Sequence, residues 1–267
     1  MLEIMKKTVK LLEEGRRGVL ATLVRTEGST PRKLGARLLV GDDGSLTGTI
    51  GGGALEHRVR RRAAEVLDTG SAELIEADLE EDLGMQCGGK AWVLLEPLTP
   101  SDRLVILGGG HIGLELCEMG ARCGLQVWVL DGREGFVTEE RFPRAARRLD
   151  RLEPETVVED AELLGPLSRQ TYVVIVTHNH ALDHALAEKI APLEDLRYLG
   201  VIGSRRKSAE LKEKLRKNGV ESHLVDRVRS PVGLPLGGKS PGEISLSILS
   251  EIQSERRGSR KKLREAL

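Results

Sequence analysis

The stretch RLVILGGGHIGLELCEMGARCGLQVWVLD, residues 103–131, decides the fold. Arg103 to Leu107 is an apolar run of strand length, residues 111–123 carry a helical pattern, and Gln126 to Leu130 is a second apolar strand. Between the first strand and the helix stands Gly108-Gly109-Gly110-His111-Ile112-Gly113, which fits G-x-G-x-x-G. In that setting Gly108 permits the tight turn, Gly110 lets the backbone approach a pyrophosphate, and Gly113 lets the helix pack closely on the strand. The helix amino terminus at His111 then offers free N–H groups to an anion. Asp131 closes the second strand, where an acid bonds a ribose hydroxyl; this favours NAD. Arg133, two residues on, is placed to meet a 2′-phosphate instead, so NADP stays open.

The alternation continues outward. Tyr172 to Val176 and Tyr198 to Ile202 are expected strands, with a helix from Leu182 to Ala191 between them. Short continuous apolar runs alternating with helices indicate a parallel sheet covered on both faces, a doubly wound Rossmann-like domain over residues 101–267. Beyond the strand at 172–176 comes Thr177-His178-Asn179-His180, with Asp183 and His184 close behind. Ligands bind at such strand ends. His178, His180 and Asp183 suit acid–base work or cofactor contact, a metal site, or simple helix capping through Asn179. Gly203-Ser204-Arg205-Arg206-Lys207 follows the next strand and reads as an anion clamp or as a solvated basic face. Cys117 and Cys123 on the glycine-loop helix read as small core residues. The basic run Arg256 to Arg264 reads as a frayed, solvated helix end, with a partner-docking role as the alternative.

Two prolines in Glu96-Pro97-Leu98-Thr99-Pro100-Ser101 separate this half from an α+β domain over residues 1–97. There the pattern predicts an amphipathic first helix with Leu2, Met5, Val9 and Leu12 on one face. Strands follow at 18–25, 36–40, 45–50, 72–77 and 91–96, with a helix from Ala54 to about Leu67. Gly28-Ser29-Thr30-Pro31-Arg32-Lys33 and Gly51-Gly52-Gly53 both look like anion-binding loops. The triplet supplies N–H groups at a helix start, and Ser29, Thr30, Arg32 and Arg37 add hydroxyl and guanidinium donors. Together they suggest a second phosphate-bearing ligand. Cys87, in Gln86-Cys87-Gly88-Gly89, has the glycine-flanked setting of a reactive or ligating thiolate.

Composition excludes several classes. Lys plus Arg and Asp plus Glu are equal at 41 each, which argues against nucleic acid as a partner. Aromatics are 2% of the 267 residues, too few for base-stacking platforms. No apolar run reaches the length needed to span a membrane, and three unevenly spaced cysteines make no disulfide framework. The expectation is a cytoplasmic protein.

These segments, in this order, resemble the XdhC/CoxI family of xanthine dehydrogenase accessory proteins. The matching strings are VRTEGSTPRKLGARLLV (24–40), GTIGGGALE (48–56), CGG (87–89) and LLEPL (94–98) in the first half. In the second half they are LGGGHIG (107–113), VLDGREGF (129–136), ERFP (140–143), VTHNHALD (176–183), GVIGSRRK (200–207) and GLPLGGKSPGEISLSILSEI (233–252). The resemblance implies a protein that binds molybdenum cofactor (molybdopterin), helps it acquire its terminal sulfur, and hands it to a molybdenum hydroxylase of the xanthine dehydrogenase type. It is similar to a chaperone more than to a catalyst. Carried onto this chain, Cys87 looks like the residue meeting the cofactor or its sulfur, and the GSTPRK and GGG loops look like the seat of the pterin phosphate. A cysteine desulfurase and a second copy of the chain are implied as partners. An NAD(P)-dependent oxidoreductase with His178 or His180 as proton donor and a nucleotide-sensing regulatory module are the alternative readings.

Overall fold

The structure, a computed structural model, describes residues 1–79 and 89–257. It divides into two compact units, Met1–Pro100 and Ser101–Leu267.

The first unit runs α1 (Leu2–Glu13), β1 (Gly18–Glu27), β2 (Arg37–Gly41), β3 (Leu46–Gly48), α2 (Gly53–Thr69), β4 (Glu73–Asp78) and β5 (Lys90–Leu98). The strands form one antiparallel sheet in the order β3-β2-β1-β5-β4. Alternation along β1 and β5 sends Val19, Ala21, Leu23, Val93 and Leu95 to one face. There they meet Leu55, Val59, Ala63 and Val66 of α2, spaced three and four apart on one helical stripe.

The first helix does not bury the expected stripe. Ile4 and Leu11 are its buried residues, while Leu2 is 69% and Val9 54% exposed. The cause lies in two distant glycines. A Cβ on Gly48 would stand 2.7 Å from Ile4 Cδ1, and one on Gly18 would stand 3.5 Å from Leu11 Cδ1. These notches in the sheet receive the two side chains, and no periodicity within the helix announces them.

The second unit runs β6 (Arg103–Leu107), α3 (His111–Arg122), β7 (Gln126–Leu130), β8 (Arg147–Leu149), α4 (Ala161–Leu164), β9 (Thr171–Ile175), α5 (His180–Ile190), β10 (Tyr198–Val201), α6 (Arg205–Lys217), α7 (Ser222–Arg227), β11 (Val228–Arg229) and α8 (Pro241–Arg256). All described pairings are parallel, and the order is β11-β10-β9-β6-β7-β8. Counted from β6 this is 3-2-1-4-5-6, the doubly wound dinucleotide-binding order, with its switch point between β6 and β9. Every residue of β6 and β9 is buried, because both faces are covered. Leu116 and Cys117 of α3 join Ile248, Leu249 and Ile252 of α8 on one face. Leu186 and Ile190 of α5 join Leu211 and Leu215 of α6 on the other.

Cys117 is a core residue, and burial pushes its thiol up to about 12. Cys123 is not: it is exposed at the C-cap of α3, where the helix turns out toward solvent. Arg256, at the start of the basic run, is held by Asp102, with Nε and Nη2 each 2.8 Å from Oδ2. Residues 258–264 of that run lie outside the described residues.

Candidate functional site

The carboxyl edge of the parallel sheet holds the second unit's candidate site. Val176 follows β9, and a Cβ on Gly108 would stand 2.6 Å from the Val176 carbonyl carbon, so only glycine fits at the switch point. Gly113 lies with no room for a Cβ against the Gly108 carbonyl, which is the close helix-on-strand packing its spacing implied. Gly110 differs. A Cβ there would meet open space, so its absence leaves room in front of the helix rather than relieving a clash.

Among the described residues four helices, α3, α5, α6 and α8, begin along this edge, and their starts are unequal. Asn179 accepts from the Ala181 N–H at 2.8 Å to cap α5, Ser204 caps α6, and Ser240 with Glu243 forms a capping box on α8. Of the four, only α3, entered through Gly110, starts without a side-chain cap. Its first-turn N–H groups face a crevice of about 540 Å³ lined by Gly110, His111, Ile112, Arg133, Phe136, Arg141, Val176, Thr177 and His178. A glycine that opens space, uncapped N–H groups and a lining without a carboxylate fit the pyrophosphate of a dinucleotide.

Asp131 sits at the end of β7 but is 3% exposed. Its Oδ2 accepts from the Gly109 N–H at 2.7 Å and Arg133 Nη2 at 2.7 Å. Its Oδ1 accepts from Arg133 N at 3.0 Å and Nε at 2.9 Å. Burial works against the ionised form, and these hydrogen bonds outweigh it, holding the carboxyl below its ordinary value. Arg141 donates through Nη2 to Gly109 O at 3.0 Å and through Nη1 to Phe136 O at 2.6 Å. The glycine motif does not point to Arg141; its only sequence signal is the ERFP string.

The segment after β9 keeps its two histidines apart in role. His178 lines the crevice, whereas His180 turns to Asp183, with Nδ1 3.2 Å from Oδ2. Asp183 is fully buried and also accepts from Thr177 N at 3.0 Å and Thr177 Oγ1 at 2.7 Å. Burial raises its carboxyl above the ordinary range. The carboxylate therefore orients the imidazole of His180 and ties the loop to α5. Among the described residues no group of three or more His, Cys, Asp or Glu side chains is arranged to hold a metal. Ser204 accepts from the Lys207 N–H at 3.4 Å, and Arg205 beside it is exposed.

In the first unit three segments remote in sequence meet. A Cβ on Gly51 would stand 2.9 Å from Pro31 Cγ and 3.7 Å from Arg32 Cγ, so the glycine triplet lies on the GSTPRK loop. Gly89 lies on the same loop: a Cβ there would stand 2.6 Å from Glu27 O and closer still to Ser29 O. Gly52 is the uncapped start of α2, and Gly53 its first residue. Ser29 is exposed, while the Thr30 hydroxyl donates to Arg32 O at 3.0 Å within its own turn. Arg32 and Arg37 line a cavity of about 310 Å³ with Gly48 and Thr49. Among the described residues Arg37 Nε is buried without a partner, and its Nη1 has only the Met1 sulfur at 3.0 Å. An under-partnered guanidinium beside a second arginine fits a phosphate. Cys87 lies outside the described residues.

Comparisons with known proteins agree with both halves. Residues 104–252 match the XdhC Rossmann domain, and residues 11–78 match the XdhC and CoxI family. YqeB of Escherichia coli, described as uncharacterized, is 31% identical over 264 residues; the match takes in 94% of this chain and 46% of YqeB, so the chain spans about half the length of that relative. A protein of Bacillus subtilis described as a probable subunit of xanthine dehydrogenase is 25% identical, with 92% of this chain and 96% of that protein covered. The molybdenum cofactor insertion chaperone PaoD of Escherichia coli is 26% identical, with 95% and 88% covered. With its Rossmann half matched along most of its length and its amino-terminal half matched beside it, the chain belongs to the XdhC and CoxI family.

Proposed function

We propose that this protein is an accessory factor that binds molybdenum cofactor and assists its sulfuration and insertion into a xanthine dehydrogenase-type molybdenum hydroxylase. The observation that carries the reading is the meeting of loop 27–32, Gly51 and Gly89 in the first unit, beside Arg32 and Arg37. The names of the relatives point the same way: one is a molybdenum cofactor insertion chaperone and another a probable xanthine dehydrogenase component.

In this reading Arg32 and Arg37 hold the pterin phosphate through charge-assisted hydrogen bonds. Ser29 and the N–H groups of residues 51–53 complete the seat. Cys87, two positions before Gly89 in the sequence, is the thiolate that meets the cofactor or its sulfur. The cofactor supplies the metal chemistry of the hydroxylase that receives it. The Rossmann unit holds NAD(P) or a related nucleotide, with its pyrophosphate at Gly110 and His111. The hydroxylase is the partner, a cysteine desulfurase supplies the sulfur, and the chain works as a homodimer. The pairing of His180 with buried Asp183 favours one further reading, an NAD(P)-dependent oxidoreductase that uses His180 or His178 as proton donor.

An anaerobic titration with molybdenum cofactor separates the two, with wild type beside Cys87→Ser and Arg32→Ala. The carrier reading expects tight binding that is lost in the first variant and weakened in the second. A wild-type protein that binds no cofactor but turns over with NAD(P)H sinks it in favour of the oxidoreductase.

A further inference from the structure

The crevice at the glycine loop differs from a plain NAD site at the point where the adenosine ribose lies. In the doubly wound fold an acid at the end of the second strand accepts from the ribose diol. Asp131 occupies that place, but its acceptors are filled. A carboxylate offers about four lone-pair directions. Here the Gly109 N–H, Arg133 N, Arg133 Nε and Arg133 Nη2 take two on each oxygen. A ribose hydroxyl bonds Asp131 only by breaking a buried ion pair or by taking its acceptor from a backbone N–H. Either exchange loses as much as it gains. None of the residues lining the crevice carries a carboxylate to replace it.

The cations at this position are under-compensated. Arg133 uses Nε and Nη2 on Asp131, which leaves the donors on Nη1 for a second anion. Among the described residues the Arg141 guanidinium hydrogen-bonds only carbonyl oxygens, Phe136 O and Gly109 O, and no carboxylate lies within ion-pair distance of it. Both guanidinium groups lie over one ring: Arg133 Cζ is 3.6 Å and Arg141 Cζ 4.9 Å from the centre of Phe136. The ring holds the two charges side by side through cation–π contact, a stacking available to guanidinium and weaker for a point-like ammonium. Asp131 offsets one charge and leaves the other.

We infer that this crevice selects a dinucleotide carrying a 2′-phosphate on its adenosine, NADP(H) over NAD(H), with Arg133 and Arg141 as the specificity-determining residues. The inference rests on the reading of the Rossmann unit as a dinucleotide site. The phosphate monoester supplies the anion that Arg141 lacks. It meets the free edge of Arg133 without disturbing Asp131, which acts as a positioning residue that fixes the guanidinium plane.

Titration of the full chain with NADPH and with NADH, followed by nicotinamide fluorescence, tests it. The wild type is expected to bind NADPH at least about tenfold tighter than NADH, the worth of one charge-assisted hydrogen bond. Arg141→Ala is expected to shrink that ratio about tenfold, with the loss falling on NADPH binding. Arg133→Ala frees Asp131 for the diol, so NADPH binding falls and NADH binding rises. The affinity of 2′,5′-ADP over 5′-ADP is expected to follow the same ratio. Wild-type NADH affinity equal to or greater than that of NADPH overturns the inference and leaves the dinucleotide reading standing. Binding of neither dinucleotide overturns both.

Discussion

The two glycine loops, 108–113 and 51–53, look alike on paper and open their helices differently. Both lead into a helix through a glycine N-cap with no capping side chain. The first sits at the switch point of a parallel sheet, where the chain diverges and leaves a crevice of about 540 Å³. The second follows a three-residue strand of an antiparallel sheet and rests on another loop, through Pro31. A glycine thus serves one of two ends. It either admits a neighbouring backbone, as at Gly113 and Gly89, or leaves space open, as at Gly110. Only the surroundings tell which.

Substitution separates these uses. The chain carries two tryptophans, Trp92 in the first unit and Trp128 in the second, so each unit's unfolding can be followed with the other tryptophan replaced by Phe. The largest effect is expected at Gly113→Val, where the new side chain meets the Gly108 carbonyl. A loss of about 4 kcal/mol or more in the Trp128-reported urea transition is expected, with the Trp92 transition unmoved. A shift of both transitions together would mean the two units do not unfold independently.

Gly89→Ala is expected to cost the first unit about 2 kcal/mol, because the methyl group meets the carbonyls of Glu27 and Ser29. A neutral result in the Trp92-reported transition would break the meeting of segments on which the proposed function stands.

Asp131→Asn is expected to cost the second unit a similar amount, about 2 kcal/mol at neutral pH, since it strips Arg133 of a buried partner. The sign of its pH dependence follows from the depressed carboxyl. Its folded value lies below the unfolded one, so the stabilisation is complete above about pH 4 and is lost as pH falls through the folded value. Wild type and variant therefore converge in acid. Curves that stay parallel down to about pH 2 would show that the Asp131–Arg133 pair is not the source.

The smallest effects are expected at the open glycines. Gly53→Ala is expected to stabilise the first unit by about 0.5 kcal/mol through helix propensity, since its Cβ meets nothing. Gly110→Ala is expected to leave stability within about 0.5 kcal/mol, yet to weaken dinucleotide binding severalfold, because the methyl enters the crevice. Unchanged binding in Gly110→Ala would count against the proposed pyrophosphate seat at the start of α3.

The second unit's architecture is legible along the chain. Gln126–Leu130 stands where the apolar run places it, and Arg103–Leu107 and Tyr198–Val201 agree to within a residue, because a strand buried on both faces must be continuously apolar. The glycine spacing, Asn179 as a cap and the start of α3 follow from local rules that act within one turn of chain. The short strands β8 and β11 are not legible, since Arg147–Leu149 and Val228–Arg229 are too short to carry an apolar pattern.

Folding settles what depends on residues far apart in sequence. Gly18 and Gly48 set which stripe of α1 is buried, and the side chains left exposed are ones its own periodicity favours. Whether Asp131 is free to accept depends on Gly109 and Arg133 closing around it. Which histidine faces the crevice depends on buried Asp183, which takes His180 and leaves His178. Local propensity is a property of neighbours along the chain and can be read there. Burial, charge compensation and open space are properties of neighbours across it, and exist only once the chain has folded.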